Sequence, residues 1–523
     1  MNNTIQQTSV SRRLFTNVGL NFAAQVFLAL LTIVTAPYIV NHLGAELFGM
    51  VTLVQAAAGL AGLLNLGIGR ALTKYLSEFY WKGDLDLIND FFQTAWALCL
   101  LSGLIGGFLL IASSPLIESA FFSNNPGVTD DIVMFAIYVS AFGLFSSMLL
   151  EVASSLPLAA QRFGIRNAIQ VAMATIMSVG AVVLLAAGLS VRSVLLVSLL
   201  SNVFGVGAFL AASCKIVTGL KLKPRIELKA FKTLLRFSLP LVLSALSAMI
   251  VARVDRFILA YYLPLAAVAF YALPFSLAQK LSSAVGNVTS VVFPFASELH
   301  SMSDLEKLRE LYLRSSKILL LMTLPFVVIL MTIPDSILRY WLGAEYADNG
   351  AIALGLIGAA TLLNAATGVP TVTSLGIGRP WMPSLFAASS SITSLAANLY
   401  LIPRYGVNGA AMALLLSEAV GGAPFIYLVN RRIGVTLWRF ISEVLMRPSV
   451  CAGVQLLILL AGRNYIDGLM SLIIVSALSL ILFGLCALLV AMTSEERRAL
   501  FAVAAPGVLF FRQLFQIAPK SSR

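Results

Sequence analysis

Apolar segments long enough to cross a lipid bilayer follow one another along almost the whole chain. A transmembrane helix needs about 20 apolar residues. By this criterion we count about fourteen candidates, near residues 15–40, 47–69, 91–112, 132–156, 167–188, 193–214, 237–262, 265–293, 317–334, 350–375, 383–402, 407–429, 448–466 and 469–492. The chain is 59% hydrophobic and 11% charged, and no block of soluble-domain composition interrupts these segments. The sequence therefore predicts an all-α polytopic membrane protein with about fourteen transmembrane helices.

The lysines and arginines indicate the orientation of these helices. If the N-terminus is cytoplasmic, the extracytoplasmic loops contain only Arg192, Arg339, Arg404 and Arg463, and the cytoplasmic segments contain nearly all other basic residues. This positive-inside pattern places both termini in the cytoplasm and requires an even number of spans. It also accounts for the net charge of +12, so we interpret that charge as topological and predict no nucleic-acid partner.

The sequence contains no pattern typical of an enzyme or a metal protein. Nucleotide-binding, HExxH and Ser-His-Asp motifs are not found, and the predicted extracytoplasmic loops are short. The four cysteines, Cys99, Cys214, Cys451 and Cys486, are isolated in or beside apolar runs, which predicts neither disulfides nor a metal site. We therefore expect a protein that is not an enzyme and that needs no bound cofactor.

A weak internal repeat predicts two related halves. A shift of 212 residues superimposes 163–165 on 375–377, and a shift of 220 superimposes 77–78 on 297–298. Two parallel six-helix repeats would enclose a midplane cavity that opens alternately to either side. The predicted division is an N-terminal lobe at 1–214, a cytoplasmic interfacial linker at 215–236, a C-terminal lobe at 237–430, and two further spans with a cytoplasmic tail at 431–523.

Three charged residues within one predicted span suggest a binding site. Arg253, Asp255 and Arg256 lie in the apolar segment 238–263, where each charge costs about 2.5–3.5 kcal/mol at the bilayer centre. Arg253 and Arg256 are three positions apart and share a helix face, and Lys280 in the next span can join them. Such cations suit an anionic ligand such as a diphosphate, although structural ion pairs or extension to the membrane interface explain them too.

Acidic residues in other spans are candidates for ion coupling. Glu418 lies near the middle of its span, where it either carries a coupling proton or pairs with a cation, and Glu151 lies near the cytoplasmic end of its span. Asp255 either contacts another helix or takes part in coupling. The sequence therefore assigns Asp255, Glu418 and Glu151 as ion-coupling candidates.

The first two spans contain a stripe of uncharged polar residues. Its members recur mostly every three to four positions and are followed by an arginine: Asn17, Asn21, Gln25, Thr32, Thr35, Gln55, Asn65 and Arg70. Such a stripe suits a cavity wall that binds sugars, and hydrogen bonding between helices explains it nearly as well. From this stripe we take Asn21, Gln25 and Arg70 as candidate substrate contacts.

Four short motifs recur in a known group of proteins: NHLGAELFG at 41–49, NLGIG at 65–69, VDRFIL at 254–259 and RYGVNGAA at 404–411. Together they resemble the motifs of Wzx-type polysaccharide flippases, which belong to the multidrug/oligosaccharidyl-lipid/polysaccharide flippase superfamily. The resemblance covers essentially the whole chain. It implies a V-shaped helical transporter that uses alternating access to move a polyprenyl-diphosphate-linked oligosaccharide across a bacterial inner membrane, from the cytoplasmic to the periplasmic leaflet, for export of a surface or exopolysaccharide. It also places Asp255 and Arg256 at the family's charged position in span seven.

The resemblance further implies a proton or Na⁺ gradient as the driving force. It implies as partners the lipid-linked oligosaccharide, membrane lipids, and a polysaccharide polymerase and chain-length regulator. The drug-extruding branch typically has twelve spans and an acidic residue in span one. This chain lacks that residue and has two more spans after residue 447, which favours a lipid-linked substrate. A lipid II-type flippase, a teichuronic-acid-type flippase, a cation-coupled multidrug antiporter and a non-transporting scaffold or channel remain alternatives.

Overall fold

The structure is a computed structural model that describes residues 2–65, 67–122, 127–494, 496 and 497. Within its helices, the side chains at 2–22, 240–245, 248, 283, 284, 287, 288, 290 and 291 are outside the described part. Every regular element in these ranges is helical, and no strand occurs in them. This confirms the all-α prediction, as expected of apolar segments that must satisfy their own backbone hydrogen bonds in a bilayer.

Sixteen α-helices follow one another along the described part of the chain. The first eight are α1 Asn2–Ala61, α2 Ile68–Lys82, α3 Leu85–Ala112, α4 Ser114–Phe121, α5 Asp130–Ala159, α6 Phe163–Ala186, α7 Val191–Ile216 and α8 Leu228–Tyr262. The next eight are α9 Leu265–Ser301, α10 Leu305–Thr332, α11 Pro334–Trp341, α12 Ala344–Gly376, α13 Trp381–Ile433, α14 Leu437–Phe440, α15 Arg447–Gly462 and α16 Leu469–Cys486. Short 3₁₀ turns occupy Gly62–Asn65 and Arg463–Tyr465, and π-helical turns occupy Ile441–Met446 and Ala487–Ala491.

Eleven described helices are long and apolar enough to cross a membrane. Two of them are much longer than one span requires, and each is interrupted at a glycine with positive φ: Gly44 in α1 (φ 78°, ψ 162°) and Gly406 in α13 (φ 58°, ψ −133°). Residues with a Cβ rarely adopt such a conformation. The predicted spans 383–402 and 407–429 therefore both fall within the broken helix α13, and 15–40 and the larger part of 47–69 fall within the broken helix α1, which ends at Ala61. The polytopic architecture is confirmed, and the number fourteen stays a prediction.

The chain forms two compact units. We name Thr16–Ala269 the N-terminal unit, and the unit that begins at Phe270 the C-terminal unit. The core of the N-terminal unit joins α2, α3 and α5 with the start of α8, where Ala230 and Leu234 are fully buried. The predicted lobe boundaries stay a prediction, and residues 498–523 of the predicted tail lie outside the described residues.

The connection between α7 and α8 is fixed to the start of α3. The Asn89 side chain donates to the carbonyl of Gly219 (3.3 Å) and accepts from the backbone N–H of Lys221 (2.8 Å). The hydroxyl of Thr94 accepts from the backbone N–H of Glu227 (3.0 Å). These bonds satisfy backbone groups that the helices leave unpaired. Part of the predicted linker is thus an ordered element of the N-terminal unit.

The last two apolar helices belong to the C-terminal unit, whose main core joins α9, α10, α12 and α13. A smaller cluster packs α15 and α16 against α10, with Leu321, Leu324, Cys451 and Phe483 buried together. In a bilayer such side chains hold helices together by van der Waals packing, because lipid is as apolar as the side chains themselves. The two spans after residue 447 are therefore integrated into this unit by packing.

Candidate functional site

The N-terminal unit contains a break between two helices beside a cavity. α1 ends at Ala61, the 3₁₀ turn Gly62–Asn65 follows, and Gly67 (φ 72°) immediately precedes α2. Interrupted backbone at membrane depth is tolerated where protein surrounds it or where it lines a cavity. A cavity of about 860 Å³ lies against this break, which is a size typical of small-molecule sites.

The cavity wall combines polar and apolar side chains from five helices, α1, α5, α6, α7 and α8, and from the 3₁₀ turn. The polar members are Gln55, Asn65, Ser140, Ser147, Glu151, Ser198, Asn202 and Arg253. Leucines and methionines occupy most of the remaining wall. All of these residues belong to the N-terminal unit, and the described part of the wall contains one acidic and one basic side chain.

Asn65 holds the carboxyl group of Glu151 at the helix break. The Asn65 amide nitrogen donates to Oε2 of Glu151, and its amide oxygen accepts from the thiol of Cys99 at 3.3 Å. Asn65 is 8% exposed and Cys99 is fully buried. A buried amide with partners for both its oxygen and its nitrogen has a defined orientation. Glu151 is therefore positioned by the 3₁₀ turn.

The start of α2 completes the surroundings of Glu151. Gly69 lies against the Glu151 side chain so closely that a Cβ at this position would overlap it. Arg70, whose side chain is exposed, interacts electrostatically with the Glu151 carboxyl group. The predicted substrate residue Arg70 and the predicted coupling residue Glu151 are thus neighbours.

Arg253 is seated on α1 at another part of the cavity wall. Its Nη1 donates to the backbone carbonyl of Gln55 at 3.1 Å. The guanidinium lies over Gly59, where a Cβ would overlap it. An arginine has five N–H donors, so one bond to Gln55 leaves donors for a ligand. The structure thus places this predicted residue in a cavity wall with a fixed anchor.

The other charged candidates near Arg253 have different surroundings. Arg256 is half-buried and does not line this cavity. Asp255 is 2% exposed and accepts from the backbone N–H of Arg256 at 2.7 Å, and both residues take part in further interactions. Lys280 lies in α9, half-buried, within the C-terminal unit. Of this charged group, the cavity of the N-terminal unit includes Arg253.

Glu418 occupies a buried position in the C-terminal unit. It lies on α13, is 7% exposed, and its Oε1 accepts from the amide of Asn364 on α12 at 3.3 Å. Its second carboxyl oxygen makes no hydrogen bond to any residue that the structure describes. A buried carboxyl group with incomplete hydrogen bonding is suited to taking up a proton or a cation. A role of Glu418 in coupling stays a prediction.

Of the two remaining candidates from the polar stripe, Gln25 is exposed and is not part of the cavity wall. The side chain of Asn21 lies outside the described residues. Two other members of the same stripe, Gln55 and Asn65, line the cavity. A role of the stripe in substrate binding stays a prediction, and the periodic pattern by itself does not distinguish which of its members face the cavity.

Sequence reasoning missed the polar residues that later spans contribute. Ser198 and Asn202 lie one turn apart on α7, and Ser140, Ser147 and Glu151 lie at spacings of seven and four residues on α5. Residues at such spacings share a helix face. This periodicity is present in the sequence. It is a weaker indication of a binding site than a charge is, because an uncharged polar side chain costs less to insert into the membrane and commonly bonds to a neighbouring helix.

Sequence comparison relates the chain to proteins of glycan export. Residues 42–350, more than half of the chain, match the family described as "Polysaccharide biosynthesis protein". A protein of Shigella flexneri named "Putative O-antigen transporter" is 23% identical over 410 residues, which are 78% of this chain and 95% of that protein. A Haloferax volcanii protein named "Probable low-salt glycan biosynthesis flippase Agl15" is 22% identical over 432 residues, 81% of this chain and 86% of its own.

Comparison with solved structures shows the fold. The lipid II flippase MurJ in an inward closed conformation superimposes with a TM-score of 0.69 at 16% identity, over 90% of this chain and 98% of MurJ. An inward-facing multidrug resistance transporter of the MATE family, from the MOP superfamily, has a TM-score of 0.62 at 16% identity, over 80% of this chain and 94% of its own. The chain therefore has the fold that these two groups of transporters share.

Proposed function

We propose that this chain, which belongs to the polysaccharide biosynthesis protein family, is a flippase for a polyprenyl-diphosphate-linked oligosaccharide. It moves this lipid from the cytoplasmic to the periplasmic leaflet by alternating access, for export of a surface or exopolysaccharide. Both relatives with named roles, an O-antigen transporter and a glycan flippase, support this choice. The shared fold is equally compatible with lipid II-type or teichuronic-acid-type substrates.

The observation that carries the proposal is the cavity with Arg253 in its wall. An arginine within a membrane span is costly unless it serves a site, and this guanidinium is anchored to Gln55 with donors to spare. Guanidinium groups bind phosphate oxygens through two parallel hydrogen bonds. We assign Arg253 to the diphosphate of the substrate. Arg256, Lys280, Arg70, Asn21 and Gln25 stay candidate contacts.

A proton or Na⁺ gradient is the proposed driving force. The candidates for coupling are Asp255, Glu418 and Glu151, and the buried carboxyl group of Glu418 supports its inclusion. Replacement of a coupling carboxylate removes the dependence of transport on the gradient. We expect Glu418→Gln to lower gradient-driven transport in proteoliposomes and to leave downhill movement of the substrate intact.

We place the protein in the bacterial inner membrane with both termini in the cytoplasm, near a polysaccharide polymerase and a chain-length regulator. Two of the four arginines on the proposed outer side have acidic partners in the structure. Arg339 is hydrogen-bonded to Asp335 and Asp348, each at 2.9 Å, and these bonds raise the pKa of its guanidinium. Arg192 forms an ion pair with Asp131. The orientation itself is supported by the excess of lysines and arginines in the predicted cytoplasmic segments.

The test is complementation of a bacterial strain that lacks its own oligosaccharide flippase and makes a matching lipid-linked oligosaccharide. We expect the wild-type chain to restore surface polysaccharide and Arg253→Ala to fail at equal membrane abundance. Arg162→Ala, at an exposed site away from the cavity, is the matched control. Normal export by Arg253→Ala would refute the assigned phosphate contact. Failure of the wild-type chain to clear lipid-linked oligosaccharide from the cytoplasmic leaflet would favour a scaffold or channel, and altered drug resistance would favour an antiporter.

A further inference from the structure

We infer that the cavity of the N-terminal unit is a sugar-binding subsite that accepts uncharged sugars and disfavours acidic ones. The inference rests on the proposed function and adds to it the chemical class of the sugar beside Glu151. It follows from three features of the described cavity wall: polar side chains without a hydrogen bond to a described residue, apolar surface between them, and the carboxyl group of Glu151 held apart from Arg253.

Four polar side chains in the wall have unused hydrogen-bonding capacity. The hydroxyls of Ser140 and Ser198 and the amides of Asn202 and Gln55 make no hydrogen bond to any residue that the structure describes. They come from three different helices, α5, α7 and α1. Hydroxyl and amide groups donate and accept, which matches sugar hydroxyls. Uncharged groups from several helices facing one space form a site for an uncharged, hydroxyl-rich ligand.

Buried serines on the same helix behave differently. On α7, the hydroxyl of Ser201 donates to the carbonyl of Met173 at 2.8 Å, and the hydroxyl of Ser213 donates to the carbonyl of Ala153 at 3.0 Å. These two serines connect helices, which is the common role of serine in membrane proteins. Ser198 and Asn202 flank Ser201 along α7 and make no such bond to a described residue. Their polar groups face the cavity, where a ligand can use them.

The apolar part of the wall suits the other face of a sugar ring. Leu144, Leu195 and Leu199 line the cavity together with Met148 and Met177. A pyranose presents hydroxyls at its edges and C–H groups on its faces, so it needs both types of surface. Methionine adapts its shape to the group that it contacts. The wall can therefore accommodate sugar rings of different shapes.

The two charged residues divide the cavity into a phosphate end and a carboxyl end. Arg253 is seated at Gln55 in α1 and Glu151 at Asn65 in the 3₁₀ turn, and these two anchors are ten residues apart in the chain. A diphosphate bound by Arg253 thus places its attached sugars toward Glu151. The carboxyl group of Glu151 interacts with Arg70, which lies outside the cavity wall. Within the cavity it accepts a hydrogen bond from a sugar hydroxyl, whereas a second carboxylate beside it is unfavourable. Acidic sugars are therefore disfavoured at this end.

The test compares two short-chain polyprenyl-diphosphate disaccharides that differ in the distal sugar, an uncharged hexose in one and a hexuronic acid in the other. The full-length wild-type protein in proteoliposomes should move the uncharged substrate roughly tenfold faster than the acidic one. A tenfold ratio corresponds to a difference of about 1.4 kcal/mol in the interaction with the site. Glu151→Gln should bring the two rates close together, because an amide accepts hydroxyls without repelling a carboxylate. Glu78→Gln, at an exposed position outside the cavity, should keep the wild-type ratio.

A second variant tests the uncharged groups. Asn202→Leu should raise the half-saturating concentration of the uncharged substrate about tenfold, as for the loss of one hydrogen bond, with its thermal stability in detergent unchanged. Equal slowing of both substrates by Glu151→Gln, or equal rates for the two in the wild type, would overturn the sugar-reading role and leave the flippase proposal intact. Movement of neither substrate by the wild type would overturn the proposed function itself.

Discussion

Lys317 and Glu496 form an ion pair with their charged atoms 2.7 Å apart, although 179 positions separate them in the chain. Their side chains are 7% and 3% exposed. The carboxylate also accepts from the backbone N–H of Thr493 (2.8 Å), and the ammonium donates to the carbonyl of Ala491 (3.4 Å). The pair thus fixes the segment after the last apolar helix to α10.

Removal of one member of this pair should destabilise the protein. Lys317→Met leaves a buried carboxylate without its partner, and we expect a loss of about 3–5 kcal/mol in the free energy of unfolding. The double variant Lys317→Met with Glu496→Leu should recover most of this loss. Unfolding in detergent micelles measures both, and Lys82→Met, in an exposed ion pair with Glu78, should change little. A double variant as unstable as the single one would contradict this prediction.

The close approach of Arg253 to Gly59 makes this glycine important for function. Gly59→Ala adds a Cβ that overlaps the guanidinium and displaces it from the Gln55 carbonyl. We expect export of surface polysaccharide to fall as far as in Arg253→Ala, with normal amounts of protein in the membrane. The control is Gly207→Ala, where a Cβ meets no atom within 4 Å. Full export by Gly59→Ala would show that the position of Arg253 is unimportant.

The helix break at Gly406 should tolerate no side chain. At φ 58° and ψ −133°, Gly406→Ala introduces backbone strain of about 1–3 kcal/mol, and we expect a lower melting temperature in detergent. Gly453→Ala, at a helical position with open space around it, should be neutral or stabilising by about 0.5–1 kcal/mol. Equal melting temperatures for the two variants would mean that the chain at 406 adopts another conformation.

The proposed orientation predicts which loops are accessible from outside the cell. In a cysteine-free background, Asp467→Cys should react with a membrane-impermeant maleimide added to intact spheroplasts. Lys221→Cys should react after the membrane is permeabilised. Both positions are exposed in the structure, so lack of access is due to the membrane. The reverse pattern of labelling would place the termini outside.

Much of the fold was predictable because hydropathy is a local property. Each apolar segment of about 20 residues must form a helix in a bilayer whatever its neighbours are, and the described helices follow the predicted segments closely. The motif at 41–49 contains the break at Gly44, and the motif at 404–411 contains the break at Gly406. Their conformation was not predictable, because a glycine in a sequence permits a positive φ without requiring it.

The candidate site was predictable only in part. The cost of a charge in a span singled out Arg253 and Arg256, which share a helix face, and no local rule could say which of them would reach a cavity. Contacts with α1 decided this for Arg253. Nothing in the local sequence distinguishes Ser198 from Ser201. In the structure Ser198 lines the cavity, whereas Ser201 donates a hydrogen bond to a neighbouring helix.

The sequence by itself thus determined that the chain is a many-span helical protein and that a few charged residues in its spans need a function, because each of these properties is set by the transfer of single segments or side chains into lipid. The tertiary structure decided which polar groups share one cavity, that Asn65 orients Glu151, and that Lys317 meets Glu496. These relationships join residues from distant parts of the chain, and their energies depend on packing between helices that no single segment specifies.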